Sequence, residues 1–157
     1  MAERNTAGGV AAIIYGRILR IKKADGFETD MGLQPFQGKT KVADEQIIEK
    51  GFAISVLEGI DVVQEQANRG RMTLVKLEQR YGLVGYGICD PSTPNVTAHA
   101  MLRDMKRVIW DGDSNFGGQV LAVRYLSRDI GPRADGVNIV MALLEIGVEY
   151  AEDLSQP

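Results

Sequence analysis

Period-two alternation is strongest between Val137 and Tyr150. There Val140, Ala142, Leu144, Ile146, Val148 and Tyr150 fall on one face of an extended chain. The other face starts apolar, with Ile139, Met141 and Leu143, and turns acidic at Glu145 and Glu149. One end of this strand should therefore be covered on both sides, and the other should keep one face open to water or to a partner. Val120–Leu126 reads as its hairpin mate. The stretch Ser127–Gly136 between them carries Arg128, Asp129, Gly131, Pro132, Arg133 and Asp135 and reads as a polar turn.

Helical spacing takes over in two places. Val10, Ile13, Ile14, Arg17, Ile18 and Ile21 form one stripe, with a single basic interruption, and predict a helix over about Gly8–Ala24. Lys22 and Lys23 suit its last turn, and Gly26 suits a left-handed cap. Thr93 as N-cap and Pro94 at the first helical position open a second helix that runs to about Trp110. Ala98, Met101, Leu102, Met105, Val108 and Ile109 make its apolar stripe. Asn95, His99, Arg103 and Lys106 make its wet face.

The remaining pattern is less regular. Phe27–Asp30 predicts a short strand, and Gly32–Asp44 a long loop with Phe36 as its anchor. Phe52, Ile54 and Val56 share a face of a strand over 52–58. The polar stretch Glu58–Arg71 reads as a loop, unusually long for a compact domain. Met72–Cys89 is a long half-buried strand, with Val75, Leu77, Tyr81 and Leu83 inward and Lys76, Glu78 and Arg80 outward. The glycines of Gly82–Gly87 lie inside that strand, where they point to a bulge or a close backbone approach. Strands and helices do not alternate regularly. The fold class is therefore α+β, a mainly antiparallel sheet with two helices packed on it, in one domain over residues 1–157 with a loose arm at 1–9.

Composition excludes more than it proposes. The chain has 157 residues, is 45% hydrophobic and 25% charged, and carries a net charge of −3. This is the profile of a soluble protein with no electrostatic footprint for gripping nucleic acid. The apolar run Val10–Tyr15 is too short for a signal-peptide core or a membrane span. The one cysteine, Cys89, cannot form an internal disulfide. The one histidine, His99, belongs to a solvated helix face beside Arg103 and Lys106, and no nucleophile–base–orienter set surrounds it. Asp111-Gly112-Asp113-Ser114-Asn115 imitates the start of a calcium loop, but Phe116 stands where glycine is required and Ala122 where a bidentate glutamate is required. No catalytic residue, metal or cofactor is predicted. An enzyme would need a pocket and perturbed titratable groups.

Two stretches carry a family resemblance. One is Asp90-Pro91, Pro94-Asn95, Ala98-His99 and Leu102–Trp110. The other is Val123-Arg124-Tyr125, Arg128-Asp129-Ile130, Pro132-Arg133, Asp135-Gly136 and Glu149–Glu152, with Ile21–Gly32 as a third, weaker segment. Together they resemble the tail terminator, or minor tail, proteins of long-tailed non-contractile bacteriophages, over about Val10–Leu154.

The resemblance implies a homo-hexameric ring on the head-proximal end of the tail tube. Such a ring stops tube polymerisation and offers a docking surface to a head-completion or neck connector protein. Viral DNA passes through its lumen without specific binding, and no membrane is involved. The protein would be assembled in the host cytoplasm and reside in the virion. Arg128, Asp129, Arg133 and Asp135, then Arg69 and Arg71, are the candidate interface residues, and Glu145 and Glu149 the candidate lumen residues. The same charges could instead brace their own turns. The alternatives are a head–tail connector or adaptor ring and a small intracellular enzyme.

Overall fold

The structure, a computed structural model, describes residues 5–131 and 138–156. In chain order the elements are α1 (Ala7–Ile18), β1 (Pro35–Gln37), α2 (Asp44–Lys50), β2 (Phe52–Arg69), β3 (Met72–Ile88), α3 (Pro94–Ile109), β4 (Ala122–Ile130) and β5 (Ile139–Asp153). They build one five-stranded sheet in the order β1-β2-β3-β5-β4. Among the described residues only the β1–β2 pair is parallel. The class is α+β, as the sequence predicts, with three α-helices among the described residues rather than two.

The alternation in β5 works as expected. Val140, Ala142, Leu144, Ile146, Val148 and Tyr150 are all buried, and they meet Val75, Leu77, Tyr81 and Leu83 of β3 beneath α1 and α3. α3 buries its whole predicted stripe, and with it Asp104. Pro94 stands at its first turn, but the Thr93 side chain makes no capping bond. A smaller apolar cluster lies on the opposite sheet face. There Val42 and Ile47 cover Ala53, Val84 and Tyr86. So α2 closes the second face at one end of the sheet and leaves the other end open.

α1 is shorter than its stripe. It stops at Ile18, and Ile21 is buried from the loop beyond. Gly26 does take the left-handed conformation (φ 88°), but it closes a 3-10 turn over Lys23–Asp25. The basic interruption of the stripe has a structural purpose. Arg17 Nη1 donates to the carbonyls of Val108 (3.2 Å) and Ile109 (2.9 Å), capping α3. Residues 5–9 are not a loose arm: Thr6 caps α1 by accepting from the Gly9 N–H, and the Asn5 N–H bonds the Ala151 carbonyl at 2.9 Å.

Four further predictions are corrected. Residues 27–30 form no strand; the Asp104 carboxylate holds their backbone instead. The 32–44 loop contains β1, and α2 follows it, a seven-residue helix that buries only Ile47. Glu58–Arg71 is not a loop: β2 runs on to Arg69, and Gly70 (φ 61°) and Arg71 turn it tightly into β3. Ser127–Ile130 belong to β4 rather than to a turn. Arg133 and Asp135 lie outside the described residues.

Candidate assembly interface

The sheet ends on two strands of different character. β1 accompanies β2 only from Ile54 to Val56. From Glu58 to Arg69 the outer side of β2 meets no strand among the described residues, while its inner side pairs with β3 down to Arg69↔Met72. Nearly every residue there is exposed, including Ile60 (70%), Val63 (58%) and Val62 (40%). The ladder carries irregularities between Glu58 and Asp61 and between Val63 and Glu65. Such bulges and charges are the usual protection of a strand edge. Arg69 and Arg71 sit at the hairpin tip, exposed.

The opposite edge is β4. Arg124 to Asp129 are exposed, among them Tyr125 (48%) and Leu126 (36%), with a bulge between Tyr125 and Ser127. Arg128 and Asp129 stand on this edge.

Between the edges, the open sheet face is charged but balanced. Glu78 and Glu149 are buried, at 8% and 5% exposure. Arg124 Nη2 donates to Glu149 Oε2 at 2.9 Å, and its Nη1 lies 3.6 Å from Glu78 Oε2. Lys76 Nζ is 3.8 Å from Glu149 Oε1, and Arg80 Nε is 4.0 Å from Glu78 Oε1. Glu145 is exposed and accepts from Ser127 Oγ at 2.9 Å. The acidic face read from β5 alone is thus neutralised by β3 and β4, whose contribution a single strand cannot reveal.

A shallow groove of about 530 Å³ lies where α3 meets β4. Trp110 Nε1 donates to the Val123 carbonyl at 3.1 Å, and the Trp110 and Tyr125 rings are 6.3 Å apart. Lys106 lies over Tyr125, and Arg107 over Phe27. The two stretches that carry the family resemblance therefore pack directly on each other.

The calcium-loop imitation is a closed structural turn. Phe116 takes φ 51° and is buried under the Arg17 guanidinium, 4.7 Å from the ring centre. The amides of Gly117, Asn115 and Phe116, with Arg17, hold the Asp113 carboxyl below its usual range. Asp111 pairs with Arg20. His99 is exposed on α3, and Cys89 is buried at the end of β3. Gly85 marks a close approach rather than a bulge: an added Cβ would meet Met31 Sδ at 2.8 Å, and the ladder there is regular. Among the described residues no helix is long and apolar enough to cross a membrane, and no group of three or more His, Cys, Asp or Glu could hold a metal ion.

No family model matches this sequence, and no curated protein matches it. Among solved structures, the chain is similar to one from "Virion of native gene transfer agent (GTA) particle". That likeness has a TM-score of 0.48 and 13% identity, over 89% of this chain and 96% of that chain. At that score and identity it carries no functional argument.

Proposed function

We propose that the protein is a structural tail-terminator subunit of a long-tailed, non-contractile phage-like particle, and not an enzyme. Six copies form a ring on the head-proximal end of the tail tube, end tube polymerisation, and present a surface to a head-completion or neck connector protein. The observation that carries this reading is the pair of sheet edges that meet no further strand among the described residues, β2 beyond Glu58 and β4, at opposite sides of one sheet. A ring needs two different, complementary surfaces on each copy, and two distinct strand edges are such surfaces. The resemblance in α3 and in the β4–β5 strands supports the same reading.

The open sheet face, with Glu145 and Glu149, lines the lumen. Its balance of Glu78 and Glu149 against Lys76, Arg80 and Arg124 suits a conduit, because a surface that gripped phosphates would slow DNA passage. In this reading Arg69 and Arg71, exposed at the hairpin tip, touch a neighbouring ring or the tube.

The test is native mass spectrometry across a concentration series, with negative-stain imaging and added tail tubes. A species near six times the 17.2 kDa chain, or capping of one tube end, supports the reading. A twelve-membered ring favours a head–tail connector instead. A monomer that ignores tubes refutes tail termination.

A further inference from the structure

We infer that the ring closes by antiparallel pairing of the β4 edge of one copy with the outer half of β2 of the next, in a register that sets Arg128 opposite Asp61 and Arg124 opposite Glu65. This rests on the ring reading above and names the partner of each edge.

Direction follows from the ladder. β2, β3, β5 and β4 are each antiparallel to the next, so β4 runs opposite to β2 within one chain. In a cyclic ring every copy points the same way along the axis. A neighbour's β4 therefore meets β2 antiparallel, the more stable pairing.

Length and charge then fix the register. β1 occupies the β2 edge up to Val56, so the nine residues of β4 must lie beyond it. With Arg128 on Asp61, Ile130 falls on Gly59 and Ala122 on Ala67, which fills the free edge without touching β1. The β2 edge holds Glu58, Asp61 and Glu65 against Arg69, and β4 holds Arg124 and Arg128 against Asp129. Opposite charges thus face each other across the join.

The faces agree as well. Asp61 pairs with Gln79 and Arg128 with Leu144, both on the helix-bearing side. Glu65 pairs with Lys76, and Arg124 with Gly147, both on the open side. The β4 irregularity at Leu126 falls beside the β2 irregularity at Gln64, so these two bulges offset each other, while the second β2 irregularity, at Gly59 and Ile60, falls at the end of the join against Ile130 and Asp129. Val63 then meets Leu126.

The geometry closes. The row of Arg128 runs through Leu83 of β3, and the row of Asp61 through Gln79. Each join therefore shifts the sheet by four rows for four long strands, one row per strand. With about 3.3 Å rise and about 4.8 Å between strands, this tilts the strands by about 35°, inside the range of closed barrels. Six copies give twenty-four strands and a barrel about 45 Å across between backbones, room for a nucleic-acid duplex within the side chains.

The test uses the full chain with Asp61→Arg, Arg128→Asp, and both together, checked for folding by circular dichroism. Assembly is read by native mass and by tube capping. Each single reversal sets like charges together at every join and should raise the concentration needed for assembly at least tenfold; the double swap should restore it. A Val63→Cys/Leu126→Cys variant should give an oxidation-dependent ladder of linked chains. If the parent forms rings or caps tubes and all charge variants match it, or the folded double swap stays monomeric, the edge pairing is wrong and the terminator reading stands. If the parent does neither, both fall.

Discussion

The buried carboxylate of Asp104 offers the sharpest test of how this fold is held together. Asp104 is 2% exposed on α3 and reaches the segment below it. Its Oδ1 accepts from the Glu28 N–H at 3.1 Å, and its Oδ2 accepts from the Thr29 N–H and the Thr29 hydroxyl, each at 2.7 Å. Thr29 is itself 1% exposed. In Asp104→Ala, water can reach the Glu28 amide but not the two donors of Thr29. Each orphaned buried donor costs about 1–3 kcal/mol, so with two of them the substitution should cost about 2–6 kcal/mol, a large share of a typical domain's stability. Thr29→Val alone should cost about 1–1.5 kcal/mol. The double variant should be less destabilised than the two singles combined, by about 1–2 kcal/mol, because the hydroxyl–carboxylate bond is lost in both. Urea unfolding followed by circular dichroism, with the slope unchanged, measures all three. An Asp104→Ala cost below about 1 kcal/mol, or strict additivity with Thr29→Val, would refute the assignment of Asp104 as the anchor of residues 28–29.

Gly32→Ala should be severely destabilising, by about 3 kcal/mol or more. Its Cβ would lie 2.7–2.8 Å from the carbonyl oxygens of Ile18, Leu19 and Ile21, and backbone cannot yield as a side chain can; equilibrium denaturation reads this directly. Tyr81→Phe and Tyr150→Phe should be neutral or stabilising by up to about 1 kcal/mol, since neither buried hydroxyl has a hydrogen-bond partner among the described residues. Burial holds the Tyr150 hydroxyl up to about 12 from 10.0 and raises Tyr81 further. Stability should therefore be insensitive to these groups below pH 10 and fall as pH rises through the folded-state value, with late tyrosinate absorbance that Tyr150→Phe diminishes. Arg103 binds the Glu28 carboxylate bidentately, at 2.7 and 2.9 Å, and lowers its pKa. This stabilisation is present above the unfolded value near 4.5 and is lost as pH falls through the folded value, so Arg103→Gln should flatten the acid limb of the stability curve.

How much of this was legible in the sequence depended on burial. The faces of β5 and α3 were readable because their inward positions, Asp104 of α3 excepted, are apolar and the pattern repeats. α2 was missed because a helix that buries only Ile47 leaves no stripe, although Asp44 and Glu45 at its start and Gly51 at its end were available signals. The pairing of Arg124 with Glu149 was invisible because it joins neighbouring strands, and the same holds for Asp104 and Thr29, seventy-five positions apart. Arg17 looked like a flaw in an apolar stripe. Its meaning lies in carbonyls more than ninety positions away.

The misreading of Glu58–Arg69 has a different cause, and it bears on function. A strand shows alternation only when one face is buried, and this stretch has water on both faces. What holds it extended is the β3 ladder and the tight turn at Gly70. Such a projecting ladder with Ile60 and Val63 exposed is an aggregation hazard for an isolated monomer. The two bulges and three acidic residues limit indiscriminate pairing, yet they leave the edge open to a strand that matches their spacing. β4 of a second copy matches it in length, direction, face and charge. A polar stretch that reads as a loop and folds as a strand is therefore the pattern an intermolecular sheet would leave in a single sequence, with the alternation completed by a face the partner supplies.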